Sequence, residues 1–373
     1  MKEDCMADYK IDTLLAQAGI HSDERTGALV SPIHLSTTYQ HPEFGQSTGF
    51  DYTRTKNPTR VNVEKTLAAI EKADYALVTS SGMAALVLLF GTFPVGSQIV
   101  AVRDLYGGSF RWFNEQEARG RFQFTYADSE ETLLNQITAA TDYVFIETPT
   151  NPLMVEFDIA RVAEVAHAHG AKLIVDNTFY SPIYQNPLPL GADVVLHSAT
   201  KYLSGHNDVL AGALMTNDKD LYDRLFYDHN TTGSTLSPFD AYLLMRGLKT
   251  LALRMERSSK NARKIVAFLR QSRAVREVYY TGKGGMVSVK LVDEASIPRI
   301  LNQLRVFTFA ESLGGVESLI TYPATQTHAD IPAAIRHSYG LTDDLLRLSI
   351  GIEDGDDLIA DLRQALEGAH GSI

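Results

Sequence analysis

Lys201 closes the run His197-Ser198-Ala199-Thr200-Lys201, which follows the apolar stretch 193–196. A lysine just beyond a buried strand, shielded enough to lose its proton, can form an imine with an aldehyde. Ser198 and Thr200, on alternate positions, can both point toward a phosphate. Taken alone the lysine reads as a solvated surface charge, as most lysines do. Asp176 ends a second apolar run, Lys172–Asp176, and is followed by Asn177 and Thr178. A carboxylate there can hold a positive charge in a low-dielectric cleft, and a protonated pyridine nitrogen is one such charge. A helix cap and a metal ligand compete with that reading, although no suitably spaced His or Asp companions follow closely. In a third cluster, Ser80-Ser81-Gly82-Met83-Ala84-Ala85, a strand gives way to an Ala/Leu-rich helix. The free N–H groups and dipole of a helix start attract an anion, and Gly82 lets a phosphate approach the backbone. An ordinary capped helix start is the plainer alternative.

Together, a phosphate-accepting helix start, a pyridinium-stabilising acid and an imine-forming lysine describe a pyridoxal phosphate site. The lysine and the acid are 25 residues apart, on successive expected strands. Two further segments fit the same cofactor. Tyr106, in Leu105-Tyr106-Gly107-Gly108, could stack an aromatic ring on the cofactor face, and Asn151, in Glu147-Thr148-Pro149-Thr150-Asn151-Pro152, could hydrogen-bond its phenolic oxygen. Each has a bland reading too, since Tyr is often core and Asn-Pro often marks a turn.

The elements that must position these residues are legible as short apolar runs. Strands are expected at Tyr75–Thr79, 98–102, Tyr143–Glu147, Lys172–Asp176 and 193–197, with helical spacing between them, as in 159–169 closed by Gly170. Strand, helix, strand in alternation implies an α/β fold with a mostly parallel, doubly wound sheet whose ligands sit outside the C-terminal strand ends. Residues 237–271 read as long helices leaving that sheet, and 286–291, 345–350 and the amphipathic 354–369 suggest a smaller C-terminal α/β domain. The expected organisation is an arm at 1–50 packing on a neighbour, a cofactor-binding domain at 51–240, and connecting helices with a small domain at 241–373.

With 373 residues, 45% hydrophobic and 21% charged, the chain is neither disordered nor a disulfide-stapled miniprotein. Its net charge of −11 disfavours nucleic acid and anionic membranes as partners, so an anionic ligand needs a local site. No apolar run approaches a membrane span, and the first residues do not resemble a secretion signal. The single cysteine, Cys5, fits a reducing compartment, for which the cytoplasm is the default.

These segments resemble the Cys/Met-metabolism (trans-sulfuration) family of fold-type I pyridoxal phosphate enzymes. That family holds the cystathionine γ-lyases, γ-synthases and β-lyases and the methionine γ-lyases. The resemblance runs from Ser36-Thr37-Thr38-Tyr39 through 50–60, the three clusters above and 310–319 to 345–354, nearly the whole chain. It implies the fold-type I transferase fold. It implies that Lys201 carries the cofactor and moves protons, that Asp176 pairs with the pyridine nitrogen, and that Gly82, Met83, Ser198 and Thr200 hold the phosphate. Tyr52 and Arg54 of the Tyr-x-Arg motif would reach the phosphate of an adjacent subunit, giving a dimer paired into a homotetramer. Tyr106 would stack on the ring and assist proton transfer at the leaving sulfur, and Arg347 would clamp the substrate α-carboxylate with Asn151 nearby. Asp51, Arg111, Glu311 and Ser312 would meet the substrate, the first two at its far end, with surface charges and ion pairs as the plainer reading of the charged ones. Gly108 stands where methionine γ-lyases typically carry cysteine, and the stretch 278–289 is shorter than is usual in the family.

The implied reaction is cleavage of L-cystathionine, mainly by γ-elimination to cysteine, 2-oxobutanoate and ammonia, with β-elimination and hydrogen sulfide release alongside. The alternatives are γ-replacement on an O-acyl-homoserine with cysteine, and β-lyase chemistry. A dinucleotide-binding enzyme is disfavoured because no G-x-G-x-x-G run follows an early strand. A non-enzymatic binding protein is disfavoured because lysine, acid and carboxylate clamp occur together.

Overall fold

The computed structural model describes residues 9–20 and 22–368. Cys5 lies outside them, as do the first eight residues of the expected arm and residue 369 at the end of the expected last helix. The chain forms two compact units, each assembled from two stretches: Met1–Pro94 with Leu173–Ala252, and Val95–Lys172 with Leu253–Ile373. The strands of the first unit come from both sides of Val95–Lys172.

In chain order the strands are β1 (Tyr75–Thr79), β2 (Ser97–Val102), β3 (Phe122–Ala127), β4 (Tyr143–Glu147), β5 (Lys172–Asp176), β6 (Val194–His197) and β7 (Gly212–Thr216). They are followed by β8 (Val275–Tyr279), β9 (Met286–Leu291), β10 (Thr308–Phe309), β11 (Leu319–Thr321) and β12 (Leu345–Ser349). All five strands expected around the site are present, with ends shifted by at most one residue. The sequence reading misses β3 and β7. Strand β3 alternates buried and exposed residues, as a half-covered edge strand does, and β7 begins on a glycine.

The first unit orders its strands β1-β7-β6-β5. Strands β5 and β6 are parallel, and β7 runs antiparallel to both of its neighbours. Asp176 stands opposite Leu196, so the two strands stop side by side, and Asp176 and the loop carrying Ser198 lie at the same end of the sheet. Asn57 starts the helix Pro58–Glu71 by accepting from the Thr59 and Arg60 amides, with Pro58 in the first turn.

In the second unit β2 is parallel to β3 and to β4. A separate five-stranded sheet, β10-β11-β12-β9-β8, is antiparallel except for β10 with β11. The helices Leu251–Leu269 and Gly355–Glu367 cover it, packing Ile265, Leu269, Leu358 and Leu362 into one core with Val287 and Leu348. Each fully buried aliphatic side chain contributes about 1.5–3 kcal/mol, which fixes β9 and β12 as a rigid platform. The stretch 278–289 forms the β8–β9 hairpin, whose turn uses Gly282 and Gly284 at φ of +92° and +76°. Among the described residues no helix is long and apolar enough to cross a membrane.

Candidate active site

The first unit gathers the lysine, the acid and the residues expected to face the phosphate. Lys201 is half-buried in a turn four residues past β6, where its amide donates to the Ser198 carbonyl at 3.1 Å and its carbonyl accepts from the Gly205 amide at 2.8 Å. That turn is tied to the acid in two steps. The Ser198 amide donates to Thr178 Oγ1 at 2.8 Å, and the Thr178 amide donates to Asp176 Oδ1 at 3.0 Å. Burial raises the pKa of Asp176 above the ordinary carboxylate range, against the hydrogen bonds from Thr178 and the charge of His197.

Behind these residues lies a support the sequence does not advertise. Glu71, fully buried at the end of its helix, accepts from Asn177 Nδ2 at 3.0 Å and Asn186 Nδ2 at 3.2 Å, and its Oε1 meets His197 Nε2 at 2.5 Å. One carboxylate thus joins the residue after Asp176 to the residue before Ser198. Its partners come from three distant segments, so no local spacing announces it.

At the helix Gly82–Gly91, Ser81 caps the Ala84 amide at 3.0 Å. A Cβ on Gly82 would lie 2.8 Å from Ser198 Cβ, so only glycine lets the helix start approach this loop. Thr200 is already engaged: its hydroxyl donates to the Ala211 carbonyl and accepts from the Ala211 amide, both at 3.0 Å. It must turn away from Ala211 to donate to a phosphate.

Pyridoxal phosphate fits this cradle. The first helix amides and the Ser198 hydroxyl suit its phosphate, a half-buried acid seeking a cation suits its pyridinium, and a half-buried lysine suits its aldehyde. Asp51, Tyr52 and Arg54 lie together on an exposed loop of the same unit. The Arg54 guanidinium sits 5.7 Å from the Tyr52 ring centre and donates to the Asn230 carbonyl at 2.6 Å. Asp51 accepts from Ser47 Oγ at 2.6 Å and pairs with His41 Nε2 at 3.2 Å.

The second unit gathers Asn151, Ser312 and Arg347. Arg347, in the middle of β12 and only 2% exposed, donates to Asn151 Oδ1 at 2.9 Å, the Ser312 carbonyl at 3.1 Å and Thr321 Oγ1 at 3.2 Å. Ser312 adopts a φ of +101°, a strained conformation for a residue with a side chain, and turns its carbonyl to the guanidinium. Asn151 is equally buried. Tyr106 begins the helix Gly107–Ala118, its amide donating to Glu147 Oε2 at 2.9 Å, and its ring lies over Gly108. A Cβ on Gly108 would stand 2.5 Å from Tyr106 Cε1, so a side chain there would push the ring aside. Arg111 forms an exposed ion pair with Asp330, and Glu311 is exposed beside Ser312. Asp104 and His328, which the sequence reading does not single out, hold the Asn151 loop. Among the described residues no group of three or more His, Cys, Asp or Glu could hold a metal ion.

The family profile for Cys/Met metabolism PLP-dependent enzymes matches residues 12–367. The chain is 51% identical to a cystathionine γ-synthase/O-acetylhomoserine (thiol)-lyase of Bacillus subtilis, over 95% of this chain and 96% of that protein. It is 45% identical to a cystathionine γ-lyase of the same species, over 96% of this chain and 99% of that one. The crystal structure of a cystathionine γ-synthase from Xanthomonas oryzae pv. oryzae, in complex with cystathionine, superposes with a TM-score of 0.95 at 40% identity, covering 98% of this chain and 100% of that one.

Proposed function

Since this chain belongs to the Cys/Met-metabolism family of PLP-dependent enzymes, we propose that it works at the γ-carbon of a four-carbon amino acid, joining cysteine to an O-acyl-homoserine to make cystathionine. The observation that carries this direction is the 51% identity to a γ-synthase against 45% to a γ-lyase. The expected γ-elimination of cystathionine is the second reading, supported by that γ-lyase relative. Both reactions share their first steps.

Pyridoxal phosphate supplies, when bound, the electron sink that makes an amino-acid Cα proton removable. Lys201 removes that proton and carries a second from Cβ when the leaving group is on Cγ. Asp176 keeps the pyridine nitrogen protonated, and the facing cation offsets the burial that otherwise favours its own neutral form. The Gly82 and Met83 amides hold the phosphate with Ser198, joined by Thr200 once it rotates. Arg347 meets the α-carboxylate, aimed by Asn151, and Tyr106 stacks on the cofactor and passes a proton to the leaving group. Asp51, Arg111, Glu311 and Ser312 select the rest of the substrate, and Asp51 and Arg111 exchange their present partners, His41 and Asp330, to do so.

The reading includes a homotetramer built from dimers that share their sites. Its support is the loop of Tyr52 and Arg54, both exposed, which Arg60, 2% exposed, braces by donating to the Thr53 carbonyl at 2.7 Å. The N-terminal arm packs on a neighbour in this scheme, and Leu29 and Leu35, about 70% exposed, are its apolar contacts. The test is mass-spectrometric product analysis of cofactor-loaded enzyme, given O-acetyl- or O-succinyl-homoserine with cysteine beside cystathionine alone. Net cystathionine from the ester supports the synthase. Dominant 2-oxobutanoate with cysteine moves the assignment to the lyase, and pyruvate with homocysteine rejects γ-chemistry.

A further inference from the structure

Residues 151–153 are held at successive atoms by four side chains from separate segments. Arg347 bonds Asn151 Oδ1 at 2.9 Å, and His328 Nε2 faces the Asn151 carbonyl at 3.1 Å. Ser288 donates to the Pro152 carbonyl at 2.7 Å, and the Leu153 amide donates to Asp104 Oδ2 at 3.1 Å. His328 alone among the four has a tautomer to choose, and its neighbours choose it. The Asn151 and Leu105 carbonyls that bond the ring only accept, and the Asn151 bond at Nε2 places the proton there, leaving Nδ1 to accept from Thr327 Oγ1 at 2.8 Å.

Burial first, and then the charge of Arg347, bring the pKa of His328 down to about 3, so the ring is neutral at working pH. A neutral donor braces Asn151 without placing a second cation beside Arg347. The brace is itself pinned: His328 is fully buried, and a Cβ on Gly107 would lie 2.1 Å from the Thr327 carbonyl, so the segment presses on the helix that Tyr106 begins.

We propose that His328 is a positioning residue for substrate carboxylate recognition. Its Nε2–H fixes the Asn151 backbone, the Asn151 side chain aims the Arg347 guanidinium, and the guanidinium meets the carboxylate. The proposal rests on reading Arg347 as the carboxylate clamp.

The test uses holoenzyme and two probes, L-alanine and ethylamine, which share an amine and differ in the carboxylate. Each is titrated against the visible absorbance of the bound cofactor in wild type, His328→Leu, His328→Gln, Arg347→Ala and the double variant His328→Leu/Arg347→Ala. Losing one hydrogen bond and stranding a buried carbonyl weakens L-alanine about tenfold in His328→Leu, with ethylamine changed less than about twofold. Substrate KM rises in parallel while kcat stays within about threefold. His328→Gln, which keeps a donor, recovers much of the loss. In the Arg347→Ala background the effect of His328→Leu on L-alanine shrinks below about twofold, because no guanidinium remains to be aimed. Equal weakening of both amines, or the same loss in both backgrounds, overturns the proposal in favour of a merely structural role. Intact L-alanine binding in His328→Leu, with binding lost in Arg347→Ala, overturns the proposal alone. Intact binding in Arg347→Ala removes the clamp and the proposal together. Should His328→Leu fail to fold, Thr327→Val removes the donor that fixes the tautomer; it is expected to weaken L-alanine selectively by about threefold, and unselective or absent weakening rejects the proposal.

Discussion

Asp104 shows how much of a site's behaviour lies in a single buried acid. Burial raises its pKa to about 7, and the hydrogen bonds from Thr150 and then the Leu153 amide only partly oppose that. The folded value stands above the unfolded value near 3.8, so the folded protein holds a proton that the unfolded chain gives up. Stability from this residue therefore falls as pH rises from about 4 to about 7 and is level above that. Asn accepts the Leu153 bond without ionising, so Asp104→Asn is expected to gain thermal stability relative to wild type by a few degrees more at pH 8 than at pH 5. A gain independent of pH would show that the carboxyl is not the titrating group. Legibility at this scale follows locality. Asp176 and Lys201 are legible as candidates because the acid ends an apolar run and the lysine closes a short polar run just past another. Glu71 and His328 are not, because their meaning comes from partners 106 and 177 positions away in the sequence.

The elements that carry the site residues could be read where their ends are punctuated. Ser81 before Gly82, Asp354 before the last helix and Gly170 after Ala168 all mark boundaries that the fold keeps. Strand β7 has no such mark, since it is buried throughout and its antiparallel pairing with β1 and β6 is decided by those partners. The helix start at Gly82 is the element the proposal assigns to the cofactor phosphate. In Gly82→Ala the new methyl, 2.8 Å from Ser198 Cβ, must move one of the two segments proposed to hold the phosphate. Losing one charge-assisted hydrogen bond then weakens cofactor retention by roughly tenfold, measured as cofactor lost on dialysis, while the fold persists by circular dichroism. Unchanged retention would remove the helix start from the phosphate site.

At the scale of the whole molecule, a chain of net charge −11 binds an anionic cofactor only by concentrating positive charge locally, and the proposed sharing of sites between subunits would supply it through Arg54. Arg54→Ala is expected to lower cofactor retention while sedimentation still reports the assembled tetramer. Full retention in an intact tetramer would contradict the shared site. The overall α/β class is legible in the alternation of runs, but the two compact units are not, because each is built from stretches far apart in the sequence. Chemistry at Cγ requires that protons leave both Cα and Cβ, and one measurement reads this directly. The enzyme is run in D2O with O-succinyl-homoserine and cysteine, or with cystathionine, and the four-carbon product is analysed by mass spectrometry and NMR. Deuterium at both Cα and Cβ of cystathionine, or at C3 of 2-oxobutanoate, is the expected result. Unlabelled cystathionine, or pyruvate as the keto acid formed, would contradict it.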